Sequence, residues 1–331
     1  MRSVVRWGIL GCGDVTEAKS GPALQKARGS QLVAVMRRNG DLARDYAARH
    51  GVSRWYDNAD ALIADPQVDA VYVATPPGSH AELAIRCARA GKPAYVEKPM
   101  AISAEECEWM LAAFRASRVP LFVAYYRRAL PRYLEIKRGV REGRIGDVRH
   151  VQVVLCKRPS APVQPGSPTP WRWVPELSGG GRFVDLACHT LDLLDDLLGP
   201  ITRAQGIAAN LGTPWPVEDT VAASFAFASG ALGSGSWCFT AAEPSDQVTI
   251  VGTLGSVSFS TFGTDVAWSR NGAIDRVQIA NPEHIQQPLI QTVVDELLGV
   301  GACPSTGDSA ARTTRVIDAI LRDFRAAQSC G

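Results

Sequence analysis

A short apolar segment, Val4–Leu10, leads directly into a glycine-rich turn near the start of this 331-residue chain. Gly11 permits a tight turn, Gly13 allows the backbone to come close to a diphosphate, and a following helix offers unbonded N–H groups. Thr16 stands where such turns usually have a third small residue. A strand, a Gly-x-Gly turn and a helix in this order predict a dinucleotide site at Gly11, Cys12, Gly13, Asp14 and Val15.

Residues 1–123 alternate continuous apolar segments with helical segments, which favours a dinucleotide site over an ordinary glycine turn. Apolar strands of this kind are typical of a parallel sheet with helices on both faces. Ser79 and Ser103 are each followed three residues later by a glutamate, which predicts two capped helix starts. We therefore predict an α/β Rossmann domain with strands at Val4–Leu10, Gln31–Met36, Ala70–Ala74, Ala94–Val96 and Leu121–Ala124.

Residues 124–284 have short alternating strands joined by close turns, which indicate an α+β domain with an open, predominantly antiparallel sheet. Its predicted helix is Asp185–Leu198. Two helices, Leu289–Leu298 and Ala310–Ala327, are predicted in residues 285–331 and are expected to pack back near the domain junction. The predicted strands are Asp219–Phe227, Ala231–Phe239, Gln247–Gly252, Ser256–Ser260 and Val266–Ser269.

The end of the second strand bears on which dinucleotide is bound. NAD sites usually have an Asp or Glu there for the ribose 2′-hydroxyl, whereas NADP sites have an arginine for the 2′-phosphate. Arg37 and Arg38 follow that strand, with no carboxylate beside them. They favour NADP(H), with NAD possible; the alternative is two solvated loop arginines.

Composition excludes several classes of protein. The 35 Lys and Arg residues nearly balance the 33 Asp and Glu residues, so we expect neither a nucleic-acid nor a membrane partner. No apolar run approaches the ~20 residues of a membrane span, and no signal peptide is expected. The eight cysteines are scattered, which predicts free thiols, no metal site and a cytoplasmic protein.

Two further motifs carry candidate catalytic groups. Lys98, within Glu97-Lys98-Pro99, ends a strand at the sheet edge where ligands bind, and can donate to a reacting oxygen. A triple-glycine turn precedes Asp185, His189 and Asp192, whose spacing puts them on one helix face without a neighbouring Lys or Arg. His189 is the better acid–base candidate because imidazole titrates nearest neutrality. The alternatives are a surface lysine, a helix-supporting Asp185 and a packed imidazole.

Together these motifs resemble the glucose–fructose oxidoreductase / inositol dehydrogenase / MocA family. The matching segments occur in the family's order and span nearly the whole chain. They are Gly11-x-Gly13, Val71–Pro77 with His80, Glu97-Lys98-Pro99, Trp171-Arg172, and Gly179-Gly180-Gly181 leading to Asp185, His189 and Asp192.

The resemblance implies a Rossmann domain followed by an open, predominantly antiparallel sheet, in residues 124–284, that carries substrate residues and often forms an oligomer interface, hence a homodimer or homotetramer. It implies that Lys98 lies beside the nicotinamide and substrate oxygen, that His189 exchanges the proton and that Asp185 orients substrate. It also places Tyr126 and Asp192 with the substrate residues. The residues that it brings to the cofactor are Thr75, Pro76, His80, Glu97, Lys98, Trp171 and Arg172.

The predicted activity is hydride transfer between NADP(H) and a secondary alcohol or ketone carbon of a sugar, cyclitol or related polyol. The cofactor carries the redox chemistry while the protein manages geometry and the proton. A dicarbonyl reductase or dihydrodiol dehydrogenase on the same fold is an alternative, as is a non-catalytic NAD(P)-binding sensor. A methyltransferase is disfavoured because an acidic residue is expected after its second strand.

Overall fold

The computed structural model describes residues 3–160 and 169–329, and the chain divides into two compact units. Unit 1 comprises Met1–Leu130 and Pro282–Ala311; unit 2 comprises Pro131–Asn281 and Arg312–Gly331. The sequence predicted a first boundary after residue 123. It also predicted one C-terminal segment, whereas the structure divides residues 285–331 between the two units.

The secondary structure elements are numbered along the chain. The strands are β1 Val5–Leu10, β2 Ser30–Met36, β3 Arg54–Tyr56, β4 Ala70–Val73, β5 Ala94–Val96, β6 Leu121–Val123, β7 Val148–Cys156, β8 Ile201–Ala209, β9 Thr220–Phe227, β10 Leu232–Cys238, β11 Ser245–Gly252, β12 Ser256–Phe259, β13 Asp265–Arg270 and β14 Ala273–Gln278. The α-helices are α1 Asp14–Ala18, α2 Gly21–Lys26, α3 Gly40–Arg49, α4 Ala59–Ala64, α5 His80–Arg89, α6 Ala104–Ser117, α7 Pro131–Arg141, α8 Pro175–Ser178, α9 Arg182–Leu198, α10 Gln287–Leu297 and α11 Gly307–Ser329.

Unit 1 is built on a parallel sheet with the strand order β3-β2-β1-β4-β5-β6. All five predicted strands are present. The edge strand β3 was missed because it has only three residues, two of them exposed, and so shows no apolar run. The carboxyl ends of β1, β4, β5 and β6 lie along one edge, where their loops meet.

The core of unit 1 explains why these segments form strands. Trp7, Tyr72, Tyr95 and Phe122 are almost completely buried, and the apolar face of α10 packs against the same cluster. Burying side chains of this size contributes about 1.5–3 kcal/mol each. Residues near the end of the chain thus complete the core of its first domain.

The two predicted helix caps had different outcomes. Ser103 caps α6 as predicted, because its hydroxyl accepts a hydrogen bond from the Glu106 amide at 3.2 Å. Ser79 is the N-cap residue of α5 as predicted, but its side chain does not cap the helix. Its hydroxyl lies 2.8 Å from Thr75 Oγ1 and 3.0 Å from the Pro76 carbonyl oxygen, since residues 77–79 form a 3₁₀ turn before α5.

Unit 2 contains an open sheet with the order β14-β13-β12-β11-β7-β10-β9-β8. Within the described residues its pairs are antiparallel except β7 with β10, so the predicted fold class is confirmed. The strands β7, β8 and β14 were missed. β7 does alternate, with Val151, Val153 and Leu155 buried, whereas β14 is almost wholly exposed.

Helix α9 packs on this sheet. Phe183, near its start, meets Trp237 of β10 edge to face, with ring centroids 5.0 Å apart. Across the described part of the chain, no helix is both long and apolar enough to span a membrane. The cysteines of that part are all free thiols.

Candidate active site

The turn after β1 requires glycine at its first position. Gly11 has a φ of +88°, and a Cβ there would lie 2.7 Å from Thr75 Cγ2 and 3.0 Å from the Thr75 nitrogen. The amides of Gly11 and Cys12 both donate to the Met36 carbonyl, at 2.9 and 3.1 Å. The turn is therefore held against the ends of β2 and β4, at the carboxyl edge of the sheet.

Thr16, the departure from the usual small residue, closes the turn. Its buried hydroxyl accepts from the Gly13 amide at 3.0 Å and donates to the Gly13 carbonyl at 2.7 Å. The Gly13 amide is therefore occupied. The first turn of α1 is therefore closed by hydrogen bonds within the chain, although its N-cap residue, Gly13, has no side chain.

The backbone N–H groups of the next two residues, Asp14 and Val15, are available to a ligand. Among residues 3–160 and 169–329, no group accepts a hydrogen bond from the Asp14 or Val15 amide. A Cβ on Gly13 would meet nothing nearer than the Gly11 carbonyl oxygen at 3.9 Å. The Cys12 side chain points inward, and burial raises the pKa of its thiol to about 11. An open, donor-lined backbone fits a diphosphate.

Substitution of Gly11 by alanine is expected to lower both dinucleotide affinity and thermal stability. The left-handed backbone alone costs about 1–2 kcal/mol, and the contact with Thr75 adds to it. Gly51→Ala is the matched control, because Gly51 has a φ of +65° but a Cβ there would meet nothing within 4 Å. Fluorescence titration of NADPH and thermal melts would compare the two. Equal effects of both substitutions on NADPH affinity would contradict the special role of Gly11.

Arg37 and Arg38 directly follow β2 and are exposed. The described residues place no carboxylate within ion-pair distance of either guanidinium. The charge of Arg37 acts to lower the pKa of the Cys12 thiol, against the larger effect of burial, so it lies within electrostatic range of the glycine turn. Two accessible cations therefore follow the second strand.

His80 lies inside unit 1. Its Nε2 is 2.8 Å from the Thr75 carbonyl oxygen and its Nδ1 is 3.0 Å from the Pro99 carbonyl oxygen. The side chain is fully buried, and burial lowers the imidazole pKa. His80 thus ties the loop after β4, with Thr75 and Pro76, to the segment after β5, and is itself enclosed.

The carboxylate of Glu97 is likewise turned inward. It accepts from the Tyr72 hydroxyl at 2.5 Å, from Gln286 Nε2 at 2.7 Å and from the Lys98 amide at 3.1 Å. Burial also raises the pKa of Tyr72 well above its ordinary value. Gln286, which no local signal in the sequence indicates, helps fix the turn that presents Lys98.

Lys98 is half-buried at the carboxyl end of β5. Tyr126 follows β6 in a 3₁₀ turn on the same sheet edge, with the Arg127 guanidinium 4.9 Å from its ring centroid. The structure of unit 1 therefore brings the glycine turn, Thr75, Lys98 and Tyr126 to a common edge.

In unit 2, the carboxylate of Glu218, which is distant in sequence, caps the start of α9. The N-cap residue Gly181 has no side chain, and Glu218 Oε1 accepts from its amide at 2.7 Å and from the Val184 amide at 3.3 Å. Gly180 has a φ of +153°, and a Cβ there would lie 2.5 Å from Val184 Cγ2. Glu218 is only 2% exposed. Sequence reasoning missed it because nothing marks its partner, which lies far along the chain.

Asp185 and His189 lie one turn apart on α9, as predicted from their spacing. Asp185 is half-buried, and His189 is 5% exposed with its ring edge-on to Phe262, at 6.0 Å between centroids. The neighbouring Thr190 hydroxyl lies 2.9 Å from that of Thr261. The imidazole is therefore held by the loop after β12.

Beyond its first residue, α9 has no Lys or Arg of its own, but residues of other helices supply cations to its acidic face. Arg312 of α11 forms two hydrogen bonds to Asp195, at 2.9 and 2.6 Å, and Lys137 of α7 pairs with Asp196 at 2.6 Å. Asp192, predicted as a substrate residue, is 1% exposed and accepts from the Thr313 hydroxyl at 3.4 Å. These carboxylates belong to packing contacts within unit 2, made by residues remote in sequence.

Trp171 and Arg172 lie in a 3₁₀ turn of unit 2. The Arg172 guanidinium is 4.4 Å from the centroid of the Trp171 ring, and Arg172 is exposed. Across residues 3–160 and 169–329, no group of three His, Cys, Asp or Glu side chains is arranged to hold a metal ion.

A Rossmann sheet with an open glycine turn, followed in the chain by an α+β domain whose helix carries Asp185 and His189, defines an NAD(P)-dependent oxidoreductase that acts on alcohols. The chain belongs to the GFO/IDH/MocA family. Residues 5–125 match the family model for an oxidoreductase with an NAD-binding Rossmann fold, and residues 133–258 match the GFO/IDH/MocA C-terminal domain.

Individual relatives agree with this assignment. The chain is 40% identical over 318 residues to Oxidoreductase P35 of Formosa agariphila, covering 96% of this chain and 98% of the relative. It is 30% identical over 247 residues to levoglucosan dehydrogenase of Pseudarthrobacter phenanthrenivorans, covering 67% and 63%. The aldose-aldose oxidoreductase from Caulobacter crescentus, crystallised with glycerol, is similar in structure with a TM-score of 0.87 at 26% identity, covering 98% of each chain.

Proposed function

We propose that this protein transfers a hydride between NADP(H) and a secondary alcohol or ketone carbon of a sugar, cyclitol or related polyol. The observation that carries the proposal is the position of Lys98, which lies on the same sheet edge as the open glycine turn. The names of two relatives, a levoglucosan dehydrogenase and an aldose-aldose oxidoreductase, support a sugar-like substrate.

The residues proposed to hold the dinucleotide follow from the donors present. The amides of Asp14 and Val15 bind the diphosphate, Arg37 and Arg38 bind the 2′-phosphate, and Thr75 and Pro76 border the turn. His80 and Glu97 position these loops from inside the unit. Trp171 and Arg172 are retained from the family resemblance as cofactor residues. When bound, the nicotinamide supplies the acceptor or donor of the hydride.

The chain's own groups manage the oxygen and its proton. During oxidation the carbon loses a hydride, a C=O bond forms, and His189 accepts the hydroxyl proton. The family resemblance gives the Lys98 ammonium the role of donating to the substrate oxygen and stabilising its developing charge. Asp185, one turn from His189, orients the hydroxyl, and Tyr126 borders the substrate. Asp192 is left out of this set because its carboxylate is buried against α11.

The cofactor preference is testable at the two arginines. Replacing both Arg37 and Arg38 by glutamine is expected to weaken NADPH binding by about 1.5–3 kcal/mol for each charge-assisted hydrogen bond to the 2′-phosphate that is removed. NADH affinity should change little, because NADH has no 2′-phosphate. Fluorescence titration with both nucleotides measures the difference.

Arg44→Gln is the control for this experiment, because Arg44 is also exposed but pairs with Asp41 on α3. It removes a positive charge from the same unit without touching the end of β2. NADPH affinity within twofold of the wild type in the double variant would reject the NADP assignment.

The proposed activity itself is tested by following nicotinamide absorbance with NADP⁺ or NAD⁺ and a panel of sugars, cyclitols and polyols. Turnover of at least one member is expected, faster with NADP⁺. Activity confined to dihydrodiols or dicarbonyls would replace the substrate class. Tight dinucleotide binding without turnover of any compound would favour the sensor.

A further inference from the structure

Lys157 is a cation of unit 2 that the proposed mechanism does not use. It follows β7, and its backbone is fixed on both sides: its amide donates to the Cys238 carbonyl at 2.8 Å, and its carbonyl accepts from the Ala241 amide at 3.1 Å. The side chain is half-buried, with its ammonium 5.0 Å from the centroid of the Phe262 ring. The position of this charge is therefore set by the sheet and by one aromatic ring.

The same ring connects Lys157 to the candidate catalytic helix. The edge-to-face contact between Phe262 and His189 puts the ammonium and the imidazole against one phenyl group. Phe262 is held in turn, because its amide donates to Asp246 Oδ2 at 2.8 Å and the adjacent Thr261 contacts Thr190. Lys157 and His189 are thus both positioned by contacts with the Phe262 ring, which the fold holds in place.

Arg182, the first residue of α9, adds a second cation. Its guanidinium donates to the carbonyl of Arg158, the residue after Lys157, at 3.1 Å, and lies 5.5 Å from the Phe239 ring centroid. Burial lowers its pKa, and the nearby charge of Asp185 opposes that shift. Lys157 and Arg182 therefore approach the Asp185–His189 turn from neighbouring segments.

The two cations lack carboxylate partners in the chain described. Over residues 3–160 and 169–329, no Asp or Glu oxygen lies within ion-pair distance of the Lys157 ammonium or the Arg182 guanidinium. Residues 161–168 contain no Asp or Glu. Aromatic faces stabilise a cation only partly, and removing an unpaired charge from water is unfavourable. An anionic group on a ligand would offset that cost.

We propose that Lys157 and Arg182 form an anion subsite beside His189, and that the substrate is a sugar or polyol carrying a carboxylate, sulfate or phosphate group. This proposal rests on the proposed function and narrows its substrate class. A neutral sugar needs hydroxyl acceptors and donors but no pair of cations, whereas a planar guanidinium and an ammonium suit an oxyanion.

The test compares sugars that differ only at C6. D-Glucose, D-glucuronate, D-glucose 6-sulfate and D-glucose 6-phosphate, with the corresponding galactose set, are assayed for kcat/KM with NADP⁺. Their binding to the NADPH-loaded enzyme is measured by calorimetry. At least one anionic member should exceed its neutral parent roughly ten- to hundredfold, as a charge-assisted contact would give. The preferred member identifies the anion.

The variants assign the effect to the subsite. Lys157→Met and Arg182→Met should each remove most of the preference, and Lys157→Arg should retain it. Arg158→Met is the matched control, since its exposed side chain pairs with Glu243 and only its backbone meets Arg182. Melting curves verify folding.

Equal turnover of neutral and anionic members would overturn the subsite while leaving the proposed function intact. So would an anion preference that Lys157→Met leaves unchanged. Failure of every C6 pair to react or bind also rejects it, and the wider polyol panel then decides the proposed function separately.

Discussion

Replacement of His189 by asparagine is expected to lower kcat by about 10²- to 10⁴-fold, the usual contribution of a positioned acid–base group. Asparagine is smaller than histidine but keeps a polar amide at this position, and that amide cannot accept the hydroxyl proton. Lys98→Met should have an effect of the same order, because the oxygen loses its charged donor. Single-turnover rates with a saturating substrate measure both effects, and NADPH titration should show nearly unchanged affinity.

Matched control variants distinguish the loss of a catalytic group from a nonspecific effect of the substitution on the protein. His150→Asn makes the same substitution on the exposed side of β7 in the same unit, and Lys19→Met does so on the surface of unit 1. Both should retain wild-type turnover. Near wild-type rates in the His189 and Lys98 variants would refute the roles proposed for them.

Loss of Glu218 is expected to have the largest effect on stability. In Glu218→Ala the buried amides of Gly181 and Val184 lose their acceptor, and each unsatisfied donor costs about 1–3 kcal/mol. The start of α9 should loosen, so activity should fall with stability because His189 lies two turns further along. Urea unfolding gives the free energy of unfolding. A change below about 0.5 kcal/mol, the usual size for surface substitutions, would contradict this role.

Glu218→Gln is the informative partner variant. Its amide oxygen can still accept from both amides, so it should be less destabilising than alanine. It also removes the titratable group, which makes the pH dependence of wild-type stability visible by comparison.

The sign of that dependence follows from burial. Burial raises the pKa of Glu218 above its ordinary value of 4.5, although the amides of Gly181 and Val184 act in the opposite direction. With a raised pKa in the folded state, the stabilising contribution is complete below the unfolded-state pKa and is lost as pH rises through the folded-state pKa. The free energy of unfolding of wild type relative to Glu218→Gln should therefore decrease above about pH 4.5. A difference that grows with pH would show that the carboxylate is stabilised on folding instead.

Local patterns were sufficient for much of the fold and part of the candidate site. Each strand of the Rossmann sheet except β3 is an apolar run, and the Gly11 turn depends on residues adjacent in sequence. The Asp185–His189 spacing likewise needs only the period of one helix. Strands β8 and β14 were missed because their own sequences show no clear buried pattern. Each becomes a strand by pairing with an adjacent strand, β8 with β9 and β14 with β13.

The sequence by itself determined the dinucleotide turn, the two-sheet architecture and the helix that carries Asp185 and His189, because each is encoded over a few neighbouring residues. Only the tertiary structure decided how the buried charges are satisfied. The Glu97 carboxylate accepts a hydrogen bond from Gln286, and the Glu218 carboxylate accepts from the first backbone amides of α9. The acidic residues of α9 pair with Arg312 and Lys137. A charge that folding removes from water is stabilised by a polar or charged partner. That partner can lie far away in the sequence, so no local pattern indicates it.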